Sequence, residues 1–269
     1  MYFIKVDDGT KIAVEDLNRS SNKVIVLVHG WPISKDMYEY QKNILVGRGY
    51  RVVSFDIRGF GKSDTSAGKY NYDRLATDLW CVIDNLKVDS VTLVGFSMGG
   101  AICVRYMAMF DNDYVNKLVL AGAAAPSFDK TIHNPYGHST EETNALIDLA
   151  YRDRPQMITN FGDKLFANYH TKAFQDWFRQ LCFQASGIGT IKTAISLRDE
   201  DVFDDLKTIK VPTAILHGKQ DQICPFEFAT IMEREIPNAT LIPFEYSGHG
   251  LFYDELEKFN EVLIQFLEY

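Results

Sequence analysis

One serine lies in a setting that could make its hydroxyl a nucleophile. Ser97 is the central residue of Gly95-Phe96-Ser97-Met98-Gly99, a G-x-S-x-G pattern between the apolar run VTLVG and the helical run MGGAICVRYMAM. At such a strand–turn–helix junction the serine occupies a sharp turn above the sheet, and the helix N-terminus behind it favours negative charge. The pattern alone also fits an N-cap serine between packing glycines, so its partners decide the interpretation.

A serine alcohol needs a base to remove its proton, and two later residues are suitable partners. His249 lies in the loop SGHG, after the last apolar strand run and before the final helical run. Asp221 follows the strand run TAILHG by a short loop and falls between Ser97 and His249 in the chain. The order serine, acid, histidine is the one that this kind of nucleophile turn uses. We therefore predict that Ser97, Asp221 and His249 act together, although an exposed loop histidine and a turn aspartate are the alternatives.

The other histidines and several upstream aspartates are weaker candidates. His29 and His217 each end a strand run as His-Gly and are expected to shape turns. Three more histidines fall in a helical stretch and are expected to be surface or lining residues: His133, His138 and His170. Four aspartates precede a strand rather than follow one, which puts them at the opposite edge of the sheet: Asp199, Asp201, Asp204 and Asp205.

Attack on a carbonyl creates an oxyanion, which needs backbone N–H donors. One predicted donor is the N–H of Met98, the residue directly after the nucleophile. The second should come from the loop HGWP at 29–32, which follows an early strand run. Because Pro32 has no N–H, this donor is assigned to Trp31.

These residues need a scaffold that gathers them, and the alternation of the sequence predicts one. Tyr2–Val6 and Lys11–Asp16 flank an Asp-Gly turn and are expected to open the chain as antiparallel strands. Apolar runs typical of strands buried on both faces recur at Lys23–Val28, Arg51–Phe55, Val91–Gly95, Lys117–Ala121, Thr213–His217 and Thr240–Phe244. Helical patterns separate or follow them at Asp36–Val46, Tyr72–Leu86, Met98–Met109, Phe226–Ile236 and Leu251–Leu267. We predict an α/β fold with a mostly parallel central sheet and flanking helices.

One stretch interrupts this alternation. Between 126 and 205 no convincing strand is found, and helices are expected at Thr140–Arg152, Pro155–Tyr169, Lys172–Gln184 and Ile188–Ser196. We therefore expect a core domain formed by 1–125 and 206–269, and a helical cap at 126–205 that covers the carboxyl ends of the strands. Bulky residues are predicted to line a modest apolar pocket for small acyl groups, or simply to pack the cap on the core: Phe96, Phe128, Phe161, Trp177 and Ile223.

Composition limits the classes of function. The 269 residues are 46% hydrophobic and 24% charged, as expected of a soluble globular protein, and the net charge of −8 argues against a nucleic-acid binder or a polybasic membrane anchor. The N-terminal MYFIKVDDGTK lacks the pattern of a secretory signal, so a cytoplasmic location is expected. Four cysteines match no metal-site pattern and are expected to be reduced thiols, with two disulfides as the alternative: Cys81, Cys103, Cys182 and Cys224. Whether the chain forms a homo-oligomer stays open.

Five blocks, in this order, resemble the α/β-hydrolase superfamily along nearly the whole chain. They are HGWP at 29–32, DIRGFGKSD at 56–64, GFSMGG at 95–100, LHGKQDQICP at 216–225 and SGHG at 247–250. HGWP and GFSMGG are most similar to the cofactor-free haloperoxidase and arylesterase group, whose members are serine esterases and often also perhydrolases. In this family Asp56 and Arg58 usually have structural roles.

The resemblance implies a function for the residues named above. It implies Ser97, Asp221 and His249 as a catalytic triad, the amides of Trp31 and Met98 as oxyanion donors, and no metal or organic cofactor. The expected activity is cleavage of small carboxylic esters through an acyl-enzyme that water or peroxide resolves. The expected binding partner is therefore a small-molecule ester. Lactones, γ-lactams or carbon–carbon bonds are alternative substrates, and a ligand receptor on the same fold is the rival class. Haloalkane dehalogenases and epoxide hydrolases place aspartate at the nucleophile position, so Ser97 argues against both.

Overall fold

The computed structural model describes residues 1–269 and contains one eight-stranded sheet. Its strands are β1 (Tyr2–Lys5), β2 (Lys11–Leu17), β3 (Val24–Val28), β4 (Arg51–Phe55), β5 (Val91–Phe96), β6 (Val115–Ala121), β7 (Thr213–Gly218) and β8 (Ala239–Phe244). They lie in the order β1-β2-β4-β3-β5-β6-β7-β8. Antiparallel pairing joins β1 to β2 and β2 to β4, and all other neighbours are parallel. The predicted α/β fold with a mostly parallel sheet is confirmed.

Ten α-helices connect and cover these strands. They are α1 (Glu39–Gly47), α2 (Tyr72–Asn85), α3 (Met98–Met109), α4 (Thr140–Gly162), α5 (Lys172–Phe183), α6 (Gly187–Asp199), α7 (Phe203–Leu206), α8 (Glu227–Glu235), α9 (Leu251–Asp254) and α10 (Leu256–Glu268). Every residue of the central strands β3, β5 and β7 is buried, as the unbroken apolar runs require of strands covered on both faces. None of the helices combines the length and the apolar character needed to cross a membrane.

The register of the parallel strands gathers six loops at one edge of the sheet. Val28 pairs with Phe55 and Gly95, Gly95 with Leu120, Leu120 with Ile215, and Ile215 with Leu241. The loops that follow β3, β4, β5, β6, β7 and β8 therefore leave the sheet on the same side. This is the edge at which open α/β sheets place their ligands.

Three predicted helices differ from the structure. Asp36–Val46 is a 3-10 turn at Lys35–Tyr38 followed by α1, and Leu251–Leu267 is divided into α9 and α10 at Glu255. The predicted Pro155–Tyr169 helix is the second part of α4, which kinks at Asp153 and already ends at Gly162. The kink arises because Pro155 cannot donate a backbone hydrogen bond and clashes with the preceding turn.

The segment between β6 and β7 contains α4, α5 and α6, which pack on one another, and no strand of the central sheet. Isolated bridges join Ser127 to Asp201 and Asp129 to His138. The predicted boundary between residues 205 and 206 falls inside α7, a short helix that packs on α3. The cysteine side chains form no disulfide; three are buried and Cys81 is half-buried.

Candidate active site

The turn between β5 and α3 holds Ser97 in a strained conformation. Its φ of 54° and ψ of −123° lie where residues other than glycine are rarely found. The N–H of Ser97 donates to Ala121 O at 3.0 Å, and its carbonyl accepts from Ala124 N at 3.0 Å and from Gly100 N at 2.8 Å. Neighbouring parts of the core therefore secure this backbone, and the residue is only 5% exposed.

The loop after β3 packs directly against this turn. A Cβ atom on Gly30 would lie 2.8 Å from Cβ of Ser97, and one on Gly95 would lie 2.6 Å from the carbonyl oxygen of Gly99. Both distances are too short for a side chain, so strand, helix and loop can approach only because these residues are glycines. The close approach brings the peptide that follows Gly30, with the N–H of Trp31, into the neighbourhood of Ser97.

A buried histidine–aspartate pair lies beside the same turn. His249 Nδ1 and Asp221 Oδ2 are 2.7 Å apart, and both side chains are fully buried. An ionised carboxylate only accepts hydrogen bonds, so Nδ1 carries the proton and Nε2 can accept one. The Nε2 atom has no hydrogen-bond partner, Ser97 Oγ included; such contacts often tighten only when substrate is bound. The imidazole packs on Phe96, the residue before Ser97, with ring centroids 4.8 Å apart.

The surroundings of Asp221 keep its carboxyl ionised. Oδ1 accepts from the N–H groups of Ile223 and Cys224, both at 2.8 Å, and Oδ2 lies 3.4 Å from Nε2 of His217. Burial alone would raise the pKa of Asp221, but the neighbouring His249 and the hydrogen bonds from both histidines hold that pKa well below its usual range. His217, expected only to shape a turn, thus also contacts this carboxylate while its Nε2–H donates to Cys224 O at 2.8 Å.

The two N–H groups that the sequence predicts as oxyanion donors have no backbone acceptor. Met98 is the first residue of α3, so its N–H has no intrahelical acceptor. Trp31 N–H donates no backbone hydrogen bond. The Trp31 indole is buried, with Nε1–H donating to Thr190 O at 2.9 Å and the ring edge-to-face with Phe161 at 5.1 Å. The loop after β3 is therefore anchored in α6.

The residues predicted to line a pocket are divided in the structure. Phe128, Phe161 and Ile223 line one cleft of about 470 Å³, together with polar residues that include His138 and Lys164. Neither Ser97 nor His249 lines it. Phe96 packs between His249 and Phe252, and Trp177 packs on Tyr40 and Phe174, so the structure does not bring these two to the cleft.

The remaining candidates have other surroundings. Buried His29 donates from Nδ1 to Gly30 O at 2.8 Å and accepts from Ile57 N at Nε2, and burial lowers its pKa, so it is neutral and ties two loops together. Asp56 accepts from the N–H groups of Lys35 and Lys62, and Arg58 pairs with Asp78. His133 stacks on Phe203. These are structural contacts.

The segment 126–205 forms hydrogen bonds with the loops of the site that the sequence does not predict. His138 Nε2–H donates to Ile223 O at 2.8 Å, in the loop of Asp221. Gly250 N–H, next to His249, donates to Leu165 O at 2.7 Å. With the indole of Trp31 on Thr190, all three loops are bonded to this segment. The partners are 85 or more residues apart in the chain, and no local pattern indicates such pairs.

Comparisons with known proteins identify the family to which this fold belongs. The family model of the alpha/beta hydrolase fold matches residues 23–256. AB hydrolase superfamily protein YisY of Bacillus subtilis (strain 168) is 43% identical over 98% of both chains. The solved esterase EaEST from Exiguobacterium antarcticum is 49% identical, with a TM-score of 0.97 over 99% of both chains. A bromoperoxidase from Bacillus anthracis is 33% identical, with a TM-score of 0.94 over 100% of this chain and 99% of that one. The chain therefore belongs to the α/β-hydrolase family, and its predicted resemblance to esterases and haloperoxidases is confirmed.

Proposed function

We propose that this protein is a serine carboxylesterase that cleaves small carboxylic esters through an acyl-enzyme on Ser97. The observation that carries the proposal is the buried pair of Asp221 and His249, whose free Nε2 lies in a ring packed beside the strained turn of Ser97. The ionised Asp221 holds the Nδ1–H tautomer and offsets the positive charge that the ring acquires. The 49% identical esterase supports the same reaction class.

The proposed reaction proceeds in two halves. His249 Nε2 takes the hydroxyl proton while Ser97 Oγ forms a bond to the ester carbonyl carbon, and the amides of Trp31 and Met98 hold the oxyanion. The carbon–oxygen bond to the alcohol then breaks, and the alcohol leaves with the proton from His249. Water gives a proton to His249 and attacks the acyl group, which releases the acid and regenerates Ser97. Every protein group used in these steps is a residue of this chain.

Access to the nucleophile is limited, because Ser97 is only 5% exposed. The cleft of about 470 Å³ that Phe128, Phe161 and Ile223 line lies beside the Asp221 loop and does not include Ser97, so it adds no space at the nucleophile itself. We therefore expect short acyl esters to react best. Lactones, lactams and carbon–carbon bonds need the same groups and remain alternative substrates.

Perhydrolysis is a second activity that the comparisons favour. A bifunctional esterase/perhydrolase of Acinetobacter calcoaceticus, 30% identical over 99% of both chains, supports hydrogen peroxide as an acyl acceptor. In that case peroxide replaces water in the second half. It attacks the acyl carbon while one of its protons goes to His249. The bond to Ser97 Oγ then breaks, His249 returns the proton to Oγ, and a peracid leaves. A peracid assay with and without an ester substrate tests this route.

Steady-state hydrolysis of p-nitrophenyl esters, from acetate to long-chain acyl groups, tests the proposed function. We expect Ser97→Ala to lose several powers of ten in kcat on the short esters. Ser54→Ala is the matched control, because Ser54 is an equally buried serine of β4 whose hydroxyl has no partner. Equal rates for Ser97→Ala and wild type would overturn the assignment, and activity confined to long-chain esters would overturn the expected substrate size. A parallel screen of lactones and vinylogous diketones separates the alternatives.

A further inference from the structure

The connection between α4 and α5 lies directly against the loop that carries His249. Leu165 O accepts from Gly250 N at 2.7 Å, and Asn168 Nδ2 donates to Tyr246 O at 2.9 Å. The contact therefore flanks His249 on both sides. The two segments are also close together, because a Cβ atom on Gly248 would lie 2.9 Å from the backbone nitrogen of Ala167.

The carboxylate of Asp254 joins these two segments. Its side chain is fully buried at the end of α9. Oδ2 accepts from Gly248 N and from Ala167 N, both at 2.8 Å. Oδ1 accepts from Asn168 N at 3.1 Å and from His170 Nε2 at 2.9 Å. Four donors occupy the four acceptor positions of a carboxylate, so the group is fully used in this contact.

Asp254 holds a part of the His249 loop that nothing else holds. The neighbouring Glu255 accepts from Tyr246 N at 3.0 Å and from Ser247 Oγ at 2.7 Å, which secures the beginning of the loop. The amide of Gly248, directly before His249, is bound by Asp254 alone. Hydrogen bonds to an ionised acceptor are about twice as strong as neutral ones, and a buried N–H without an acceptor is costly.

We propose that Asp254 is a positioning residue that makes the placement of His249 depend on the docked α4–α5 connection. The inference rests on the proposed function, because it takes His249 as the base. Asp254 does not touch the imidazole and acts through Gly248. Displacement of a catalytic group by about 1 Å can reduce the rate about 100-fold, so a loose Gly248 peptide should affect the chemical steps more than substrate binding.

The substitution Asp254→Asn tests this role. The amide keeps the shape of the side chain but replaces one acceptor oxygen by a donor, which cannot accept from backbone N–H groups. We expect kcat on p-nitrophenyl acetate to fall about 10- to 100-fold while KM changes less than about threefold. The rate at which a fluorophosphonate labels Ser97 should fall in parallel.

Glu200→Gln is the matched control. Glu200 also joins two elements through a backbone N–H group, since both its oxygens accept from Tyr72 N at 2.9 Å. It lies at the end of α6, beside the first residue of α2. We expect this variant to lose stability in urea unfolding with kcat unchanged. A loss of kcat equal to that of Asp254→Asn would mean that any weakened contact of this kind reduces activity, and would overturn the specific role.

Two further outcomes keep the proposal open to refutation. If Asp254→Asn does not fold, exposed Asn168→Ala removes the side-chain bonds to Tyr246 O and to Asp254 O. We expect kcat to fall about two- to fivefold with KM unchanged; an unchanged kcat overturns the proposal. A folded Asp254→Asn with kcat within about twofold of wild type, while Ser97→Ala is inactive, overturns the positioning role alone. Ester hydrolysis that survives Ser97→Ala overturns both this inference and the proposed function.

Discussion

The two sides of the candidate site are held by different parts of the molecule. On one side, the turn of Ser97 is secured by β6 and the residues after it, through Ala121 O and Ala124 N, all within the core. On the other side, the loop of His249 is bonded to the α4–α5 connection directly and through Asp254. The turn of Ser97 is therefore held by the sheet, whereas the loop of His249 is held both by nearby residues such as Glu255 and by the α4–α5 connection, more than 80 positions away in the chain.

This difference predicts how substitutions in the two regions affect the site. A change in α4, α5 or their connection leaves the backbone bonds of Ser97 intact but removes support from the residues around His249. We therefore expect such changes to lower kcat through the base, with the nucleophile turn still formed.

The largest effect is expected for Asp221→Asn, which removes the charge behind the proposed base. The amide cannot offset an imidazolium charge and does not favour the Nδ1–H tautomer, so kcat should fall by about three to four powers of ten. Hydrolysis of p-nitrophenyl acetate and the rate of Ser97 labelling both measure it. A loss smaller than about tenfold would show that His249 does not work through this carboxylate.

A smaller effect is expected for Trp31→Phe. This variant tests whether the loop after β3 is held by the core, like the turn of Ser97, or by the segment 126–205, like the loop of His249. The change keeps the backbone N–H and the aromatic ring but removes the indole bond to Thr190 O. The loss of one buried hydrogen bond, about 1 kcal/mol, should reduce kcat about three- to tenfold.

Trp80→Phe is the control for this variant, because the Trp80 indole bonds only to Asp113 at 3.4 Å on the surface of α2 and stacks on Phe110. We expect its kcat to equal that of wild type. If Trp31→Phe is also unchanged, the loop after β3 is held by the core alone and belongs with the nucleophile side.

The smallest effect is a change in stability at the junction of α7 and α3, away from both sides of the site. Burial raises the pKa of Asp205 to about 6, although Arg105 at 3.1 Å opposes the shift. A raised carboxyl pKa means that the folded protein holds its proton longer than the unfolded chain. The associated stability is present below about pH 4 and is lost as the pH rises through about 6.

Asp205→Asn removes this dependence. We expect the variant to be more stable than wild type by about 1 kcal/mol at pH 8 and not more stable at about pH 4.5, with kcat unchanged. Urea unfolding at the two pH values measures it, and exposed Asp204→Asn serves as the control. A loss of kcat would show that the site is sensitive to this junction as well, which would weaken the contrast between the two sides.

The same contrast explains what could be predicted from the sequence. The strands and the glycine-rich turn at Ser97 depend on local patterns, namely unbroken apolar runs and a G-x-S-x-G at the end of one of them, and the fold was predicted from them. Three of the four donors to the Asp254 carboxylate lie more than 80 positions away, and an aspartate in a helical run has no local mark of such a role.

The segment between residues 153 and 171 shows why helix ends in the cap were hard to predict. Pro155 marks a break in the helical pattern, so the sequence predicts one helix that ends at Arg152 and another at Pro155–Tyr169. In the structure α4 continues through a kink at Asp153 and ends at Gly162, a residue type that favours helix ends. The residues after Gly162 form the α4–α5 connection, which contacts Asp254. A helix predicted to continue to Tyr169 leaves no room for this connection, so the contact could not be predicted.

The central claim, that Ser97 receives the acyl group, is tested most directly by trapping the intermediate. The protein is mixed with p-nitrophenyl acetate, quenched in acid within the first turnovers and examined by peptide mass spectrometry. We predict one acetyl group on the peptide that contains Ser97, absent from Ser97→Ala and accumulating too slowly to trap in His249→Ala. Acetylation of another residue, or turnover in Ser97→Ala at the wild-type rate, would contradict the account.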